Sequence, residues 1–205
     1  MRRKPESHTR KRHPREIRKL IIIACEGTKT EPTYFKRFIK RGSGLRIVIP
    51  NTSRTDPINL VKFAIKKCDE YGFDIINGDG AYCVYDVNSN TDRDLTDARK
   101  LAYEHGIKIC LSNPCFELWY LLHYERYSSR TDCAQLIDRL ICHIPNYRKS
   151  IDLYDLIEDK RQMAIKNAKY LNNIHDSSGR SLHTRECNPS TQVFKIVEYI
   201  QRNSA

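Results

Sequence analysis

The chain has 205 residues, of which 40% are hydrophobic, 9% aromatic and 30% charged. That balance suits one domain with a real core, alone or with an appendage, and excludes a disordered chain. No apolar run reaches the roughly 18 residues that a membrane-spanning helix needs, and the basic N-terminus lacks the apolar stretch of a secretory signal. A cytoplasmic protein with no membrane partner is therefore expected.

The formal charge of +11 is unevenly spread: residues 1–20 carry nine Lys and Arg against two Glu, a net +7, which leaves +4 for all the rest. A basic arm ahead of a nearly balanced domain is the electrostatic footprint of contact with nucleic acid phosphates. Residues 1–17 are expected to form a mobile segment, with Arg2, Arg3, Lys4, Arg10, Lys11 and Arg12 as candidate contacts. A solvated tail that only aids solubility is the plainer alternative.

In chain order, the apolar run from Lys19 to Cys25 predicts a strand buried on both faces. Pro32 suits a helix start, and Tyr34, Phe35, Phe38 and Ile39 follow at helical spacing. A short strand is predicted over 46–49. Asp56 and Pro57 form an N-cap and first turn for a helix with Ile58, Val61, Ala64, Ile65 and Cys68 on one side. A third strand over 81–85, a helix over 95–105 and a fourth strand over 107–111 come next. Helical spacing then predicts helices over 114–124, 131–142, 153–171 and 189–202, with Thr131 as a cap.

This alternation predicts an α/β fold, a Rossmann-like, mostly parallel four-stranded sheet flanked by helices over residues 18–125. A helical C-terminal half, 126–205, is expected to pack on the same core. The eight cysteines show no CxxC pairing, and Cys25, Cys68, Cys83, Cys110 and Cys142 sit among apolar neighbours, so buried reduced thiols are expected. His183 and Cys187 lack the second pair of ligands that a zinc site requires.

Ligands of an open parallel sheet gather beyond the carboxyl ends of its strands. Four acids fall there: Glu26 just past the first strand, Glu31 at the start of the first helix, Asp86 after the third strand, and Glu117 inside the helix after the fourth. Like charges at short range repel unless a cation neutralises them. Oxygen ligands with no His or Cys among them favour Mg²⁺ or Mn²⁺ over zinc. Singly, each acid also has a plain structural reading, as a helix-dipole partner, a turn cap or a surface ion pair. Lys29 and Arg54 lie close enough in the chain to hold a phosphate. His123 reads as a core-edge histidine, and Trp119 to Leu122 as core.

Three blocks carry a resemblance. EGTKTEPTYF after the first strand, Asp86 after another strand, and SNPCFELWYLLHYE from Ser112 to Glu125 together resemble the RloB family over roughly residues 18–200. That resemblance implies a Toprim-like domain, in which a glutamate after the first strand and a DxD after a later one bind Mg²⁺ for phosphodiester chemistry. By position, Glu26 matches that glutamate and Asp86 the first acid of the DxD. Glu31 matches the second acid of the related overcoming-lysogenization-defect nucleases, and Glu117 the acid of the FELW block.

The second acid of the DxD departs from the pattern. Asn88 stands there and offers a carbonyl oxygen without charge, so either the site is weakened or Asp92 or Asp94 replaces it. The resemblance further implies a role in bacterial antiviral defence by abortive infection, RNA (tRNA among it) or DNA as substrate, and an ATPase partner encoded nearby. The rival reading is a catalytically weakened nucleic-acid-binding or scaffold subunit of a defence complex. Oligomeric state is not legible.

Overall fold

The computed structural model describes residues 18–87 and 90–204. The arm positions Arg2, Arg3, Lys4, Arg10, Lys11 and Arg12, together with Asn88, lie outside the described residues.

A single sheet, in the order β2-β1-β3-β4-β5, organises the molecule. β1 (Lys19–Cys25), β2 (Leu45–Val48), β3 (Gly80–Asp86) and β4 (Lys108–Asn113) run parallel. β5 (Ser190–Thr191) joins antiparallel at the edge, pairing Ser112 with Thr191 and Asn113 with Ser190. The sheet thus has five strands and not four. Two polar residues leave no alternation to read, and the sequence pattern folds them into the start of the last helix.

β1 earns its central place through a continuous apolar run: Ile21, Ile22 and Ile23 are fully buried, each contributing roughly 1.5–3 kcal/mol of transfer free energy. Its side chains alternate between two cores. Ile21, Ile23 and Cys25 point into a large cluster with Tyr34, Phe116 and Trp119. Leu20, Ile22 and Ala24 point into the other, with Leu60, Val61, Leu95 and Ala98. This second layer is built by α2 (Pro57–Tyr71) and α3 (Asp92–Glu104). The first is built by α1 (Thr30–Lys36), α4 (Glu117–Leu121), α5 (Cys133–His143), α7 (Arg161–Ser177) and α8 (Val193–Asn203).

Caps explain several boundaries. Asp56 accepts the Asn59 backbone N–H at 2.9 Å, and Gly72, at φ 69°, closes α2 in the left-handed region. Thr91 and Asp94 form a reciprocal capping box that starts α3 earlier than the apolar spacing predicts. Asp132, not Thr131, caps α5. The predicted helix over 153–171 is broken into α6 (Tyr154–Ile157), a 3-10 turn at Glu158–Lys160 and α7. The predicted helix over 114–124 is only the five residues of α4 followed by turns. Ile39, expected at helical spacing, lies past the end of α1 and is exposed, and the burial expected of Cys142 fails because it is exposed on α5.

Candidate functional site

The chain leaves β1 for one edge of the sheet to form β2, then crosses back to the other side of β1 to form β3. Such a reversal of winding opens a crevice between the carboxyl ends of the two strands concerned. Glu26 follows the last residue of β1, and Asp86 is the last residue of β3. Their strands are neighbours, with Cys25 paired to Val84. The ladder continues into the site: the Glu26 N–H donates to the Val84 carbonyl at 2.9 Å, and Glu26 Oε2 accepts the Asp86 N–H at 3.1 Å.

Around this pair lies a cleft of about 350 Å³ that takes in Glu31, Glu117, Thr55, Phe116 and Lys149. Glu31 enters from the first turn of α1 and is 6% exposed; Glu117, the first residue of α4, is 1% exposed. Both carboxylates replace what would be core positions. Tyr147 donates from its hydroxyl to Glu117 Oε1 at 2.9 Å. Lys149 arrives on the 144–153 loop, which is tied down where Thr30 Oγ1 donates to the Lys149 carbonyl at 3.1 Å. Gly27 gives the turn after β1 the space that Glu31 occupies.

The electrostatics follow from crowding acids out of water. Burial pushes the Asp86 carboxyl well above the usual carboxylate range, and the charges of Glu31, Glu117 and Glu26 push it further. Burial also raises Glu31; its own backbone amide pulls the other way, while Glu117 and Glu26 add to the rise. Glu26 is raised by burial, lowered by the Asp86 amide, raised again by Asp56 and lowered by Lys149. Lys149 is the counterweight: the Glu117 carboxylate holds its ammonium above the ordinary value.

These acids form an open ring and not a closed cage. Among the described residues, no three His, Cys, Asp or Glu side chains make up a ready metal-ligand group.

A family model described as RloB-like protein matches residues 21–200. The chain belongs to the RloB-like family. Its three motif blocks thus fall in the matched span, and the structure shows what each does in this RloB-like chain. EGTKTEPTYF forms the turn after β1 and most of α1, Asp86 ends β3, and the FELW block places Glu117 beneath the cleft with Leu118 and Trp119 in the core. No curated protein and no solved structure matches the chain.

The acids Glu26, Glu31, Asp86 and Glu117 therefore meet, and Lys29 lies on the same cleft. Arg54 does not; it lines a neighbouring cavity. Asp92 and Asp94 do not line the cleft. The Asp94 carboxylate is held by the Thr91 N–H and hydroxyl, at 3.0 and 2.6 Å, and Asp92 Oδ1 accepts the Arg185 N–H at 2.8 Å. Both serve local structure around α3. His123 is fully buried, its Nδ1 within 2.8 Å of the Trp119 carbonyl, deeper than the core edge. Sequence reasoning missed Tyr147, Lys149 and Thr55. They sit on loops with no periodicity, and only the acid ring gives them meaning.

Among the described residues, no helix is long and apolar enough to cross a membrane.

Proposed function

We propose that this chain is a Toprim-like, Mg²⁺- or Mn²⁺-dependent nuclease that cleaves phosphodiester bonds of RNA or DNA in bacterial antiviral defence. The observation that carries it is the hydrogen-bonded pairing of Glu26 with the end of β3 at the point where the sheet reverses its winding. Raised carboxyl pKa values at Glu26, Glu31 and Asp86 mark a site prepared for a cation or for proton transfer.

The donor set fits a hard divalent ion. It is all oxygen, it is open, and Mg²⁺ is commonly held by one or two carboxylates with waters and substrate phosphates, so a closed protein cage is not required. Glu26, Glu31, Asp86 and Glu117 would hold the ion, with the Asn88 carbonyl as a further candidate ligand outside the described residues. Once bound, it would neutralise charge on the phosphodiester and on the attacking and leaving oxygens.

The chain's own residues divide the remaining work. Glu26 spends Oε2 on the Asp86 amide, which fixes the carboxyl and leaves Oε1 as the candidate to take or give a proton. Lys149 and Lys29 stand at the cleft as phosphate contacts. Tyr147 orients Glu117. Membership of the RloB-like family and the motif resemblance support the defence role, an ATPase partner encoded nearby and tRNA among the substrates.

A second reading, a scaffold or nucleic-acid-binding subunit that no longer cleaves, draws on Asn88 and on the lack of a ready three-ligand group among the described residues. One experiment separates the two. The purified chain is incubated with labelled RNA and DNA in Mg²⁺, Mn²⁺ or EDTA, alone and with any ATPase that proves to be encoded beside it. Cleavage that needs the metal and disappears in Glu26→Gln supports the nuclease. Binding without cleavage under every condition supports the scaffold.

A further inference from the structure

One face of α2 carries Asn59, Lys62, Phe63, Lys66 and Lys67, spaced three and four residues apart so that they form one stripe. The opposite face, Leu60, Val61, Ala64 and Cys68, is buried in the core. The exposed stripe and the loop before α2 enclose a cavity of about 540 Å³, whose lining includes Arg54, Lys62, Lys66 and Lys67 and not one carboxylate.

Two of these cations are partly spent. Lys67 Nζ lies 2.6 Å from Glu70 Oε2, and Lys66 Nζ lies 3.9 Å from Glu70 Oε1. Lys62 forms no salt bridge among the described residues, and Arg54 faces the exposed N-cap Asp56 only through a weak charge interaction. Phe63 contributes a half-buried ring to the wall, and Lys67 lies 5.5 Å from its centroid.

The position of this cavity decides its meaning. Arg54 lines it, while Thr55, the next residue, lines the acidic cleft. The two concavities are separated by one short stretch of loop, held in shape where the Arg54 N–H donates to Thr52 Oγ1 at 3.0 Å. One is acidic and the other is basic.

We infer that the cavity on α2 is a phosphate subsite for single-stranded nucleic acid, holding the nucleotides that flank the bond presented to Glu26 and Asp86. This rests on the nuclease reading of the acidic cleft. Because Arg54 and Thr55 are consecutive, a strand that fills one cavity passes directly into the other. A flexible single strand follows two concave surfaces more readily than duplex DNA, whose persistence length is about 150 bp. Basic grooves with an aromatic wall are the usual means of tracking a single strand without reading its sequence.

The test measures binding apart from cleavage. The full chain carrying Glu26→Gln is titrated in EDTA against short labelled single strands of RNA and DNA and against a duplex, by fluorescence anisotropy over a range of salt. The triple variant Arg54→Glu, Lys62→Glu, Lys66→Glu is expected to weaken single-strand binding at least tenfold. Its log K against log salt slope should shrink by about 2, at about 0.7 per lost phosphate contact. Lys62→Arg with Lys66→Arg should bind as the parent does. A control triple of equal charge change, Arg99→Glu, Lys100→Glu, Lys166→Glu, should lose much less.

Unchanged affinity and slope in the first triple, or an equal loss in the control, overturns the subsite. An equal loss for duplex and single strand overturns its strand selectivity. Since the readout does not need catalysis, an uncleaved substrate in the wild type counts against the nuclease alone.

Discussion

Gly27 and Glu31 occupy space that a single methyl group would contest. A Cβ placed on Gly27 would lie 2.6 Å from Glu31 Oε1 and 2.7 Å from its Cδ, well inside contact distance. The atoms it meets are the far end of a flexible side chain that lines the cleft, so the carboxylate can swing aside at little cost. Gly27→Ala should therefore move Glu31 within the cleft and reduce cleavage at least tenfold, while the melting temperature changes by less than about 4 °C, or roughly 1 kcal/mol. Glu31→Asp, shorter by one methylene, should cost less activity in the Gly27→Ala background than in the wild type. Strict additivity of the two would show that they do not compete for the same space.

Asp86 tests the repulsion directly. A carboxyl with a raised pKa in the fold binds more protons folded than unfolded, so its contribution to stability falls as pH rises from its unfolded value through its folded one. Above that window the charged acid opposes folding. Asp86→Asn should accordingly melt higher than the wild type at pH 7.5, by about 1 kcal/mol or 2–4 °C. The difference should close as pH falls toward about 4. Millimolar Mg²⁺ should raise the wild-type melting temperature and move the variant less. A variant no more stable than the wild type at pH 7.5 would mean that the acids do not strain the fold.

The part of this site legible in the sequence was the part that the backbone topology dictates. The run from Lys19 to Cys25 is too continuously apolar for anything but a central strand, and with its parallel neighbours it puts Glu26 and Asp86 at one edge. The same topology put Glu31 at the start of α1 and Glu117 in the helix after β4, and the motif blocks matched them to family acids. Tyr147 and Lys149 were invisible because the 144–153 loop has no period and reaches the cleft only through tertiary contacts such as Thr30 to the Lys149 carbonyl. Asp92 and Asp94 stay open as candidates in the sequence for a related reason: an acid near a site and an acid that caps a helix look alike until the Thr91 partner of Asp94 is seen. The two-residue β5 was below the length at which a pattern exists.

Lys149 should act on both rate and pH dependence. Its ammonium lowers the Glu26 pKa, so removing it lets burial raise that pKa further. Lys149→Met is expected to cut cleavage by about 10²-fold, in the range of a lost electrostatic contact to a transition state, and to shift the acid limb of the pH–rate profile toward higher pH. Tyr147→Phe, which leaves the Glu117 carboxylate without one donor, should cost about 1–2 kcal/mol of stability. A profile that keeps its shape in Lys149→Met would place the lysine outside the influence of Glu26.

His123 has the opposite pH signature. Its ring is fully enclosed, 4.8 Å edge-on from Trp119, and burial lowers its pKa from 6.5 to about 4. The unfolded chain then takes up the proton first as pH falls. Stability that is intact above about 6.5 is lost between 6.5 and 4, by roughly 2–3 kcal/mol at the lower end. The acid cluster gains stability over the same fall, so the raw melting curve mixes two opposed effects. His123→Phe removes one of them: whatever its packing cost, its melting temperature should decline less than the wild type between pH 7 and 4.5, by about 5–10 °C. The ring Cε1–H resonance should titrate near pH 4 in the folded chain. A midpoint near 6.5 would show a hydrated imidazole and would place the ring outside the core.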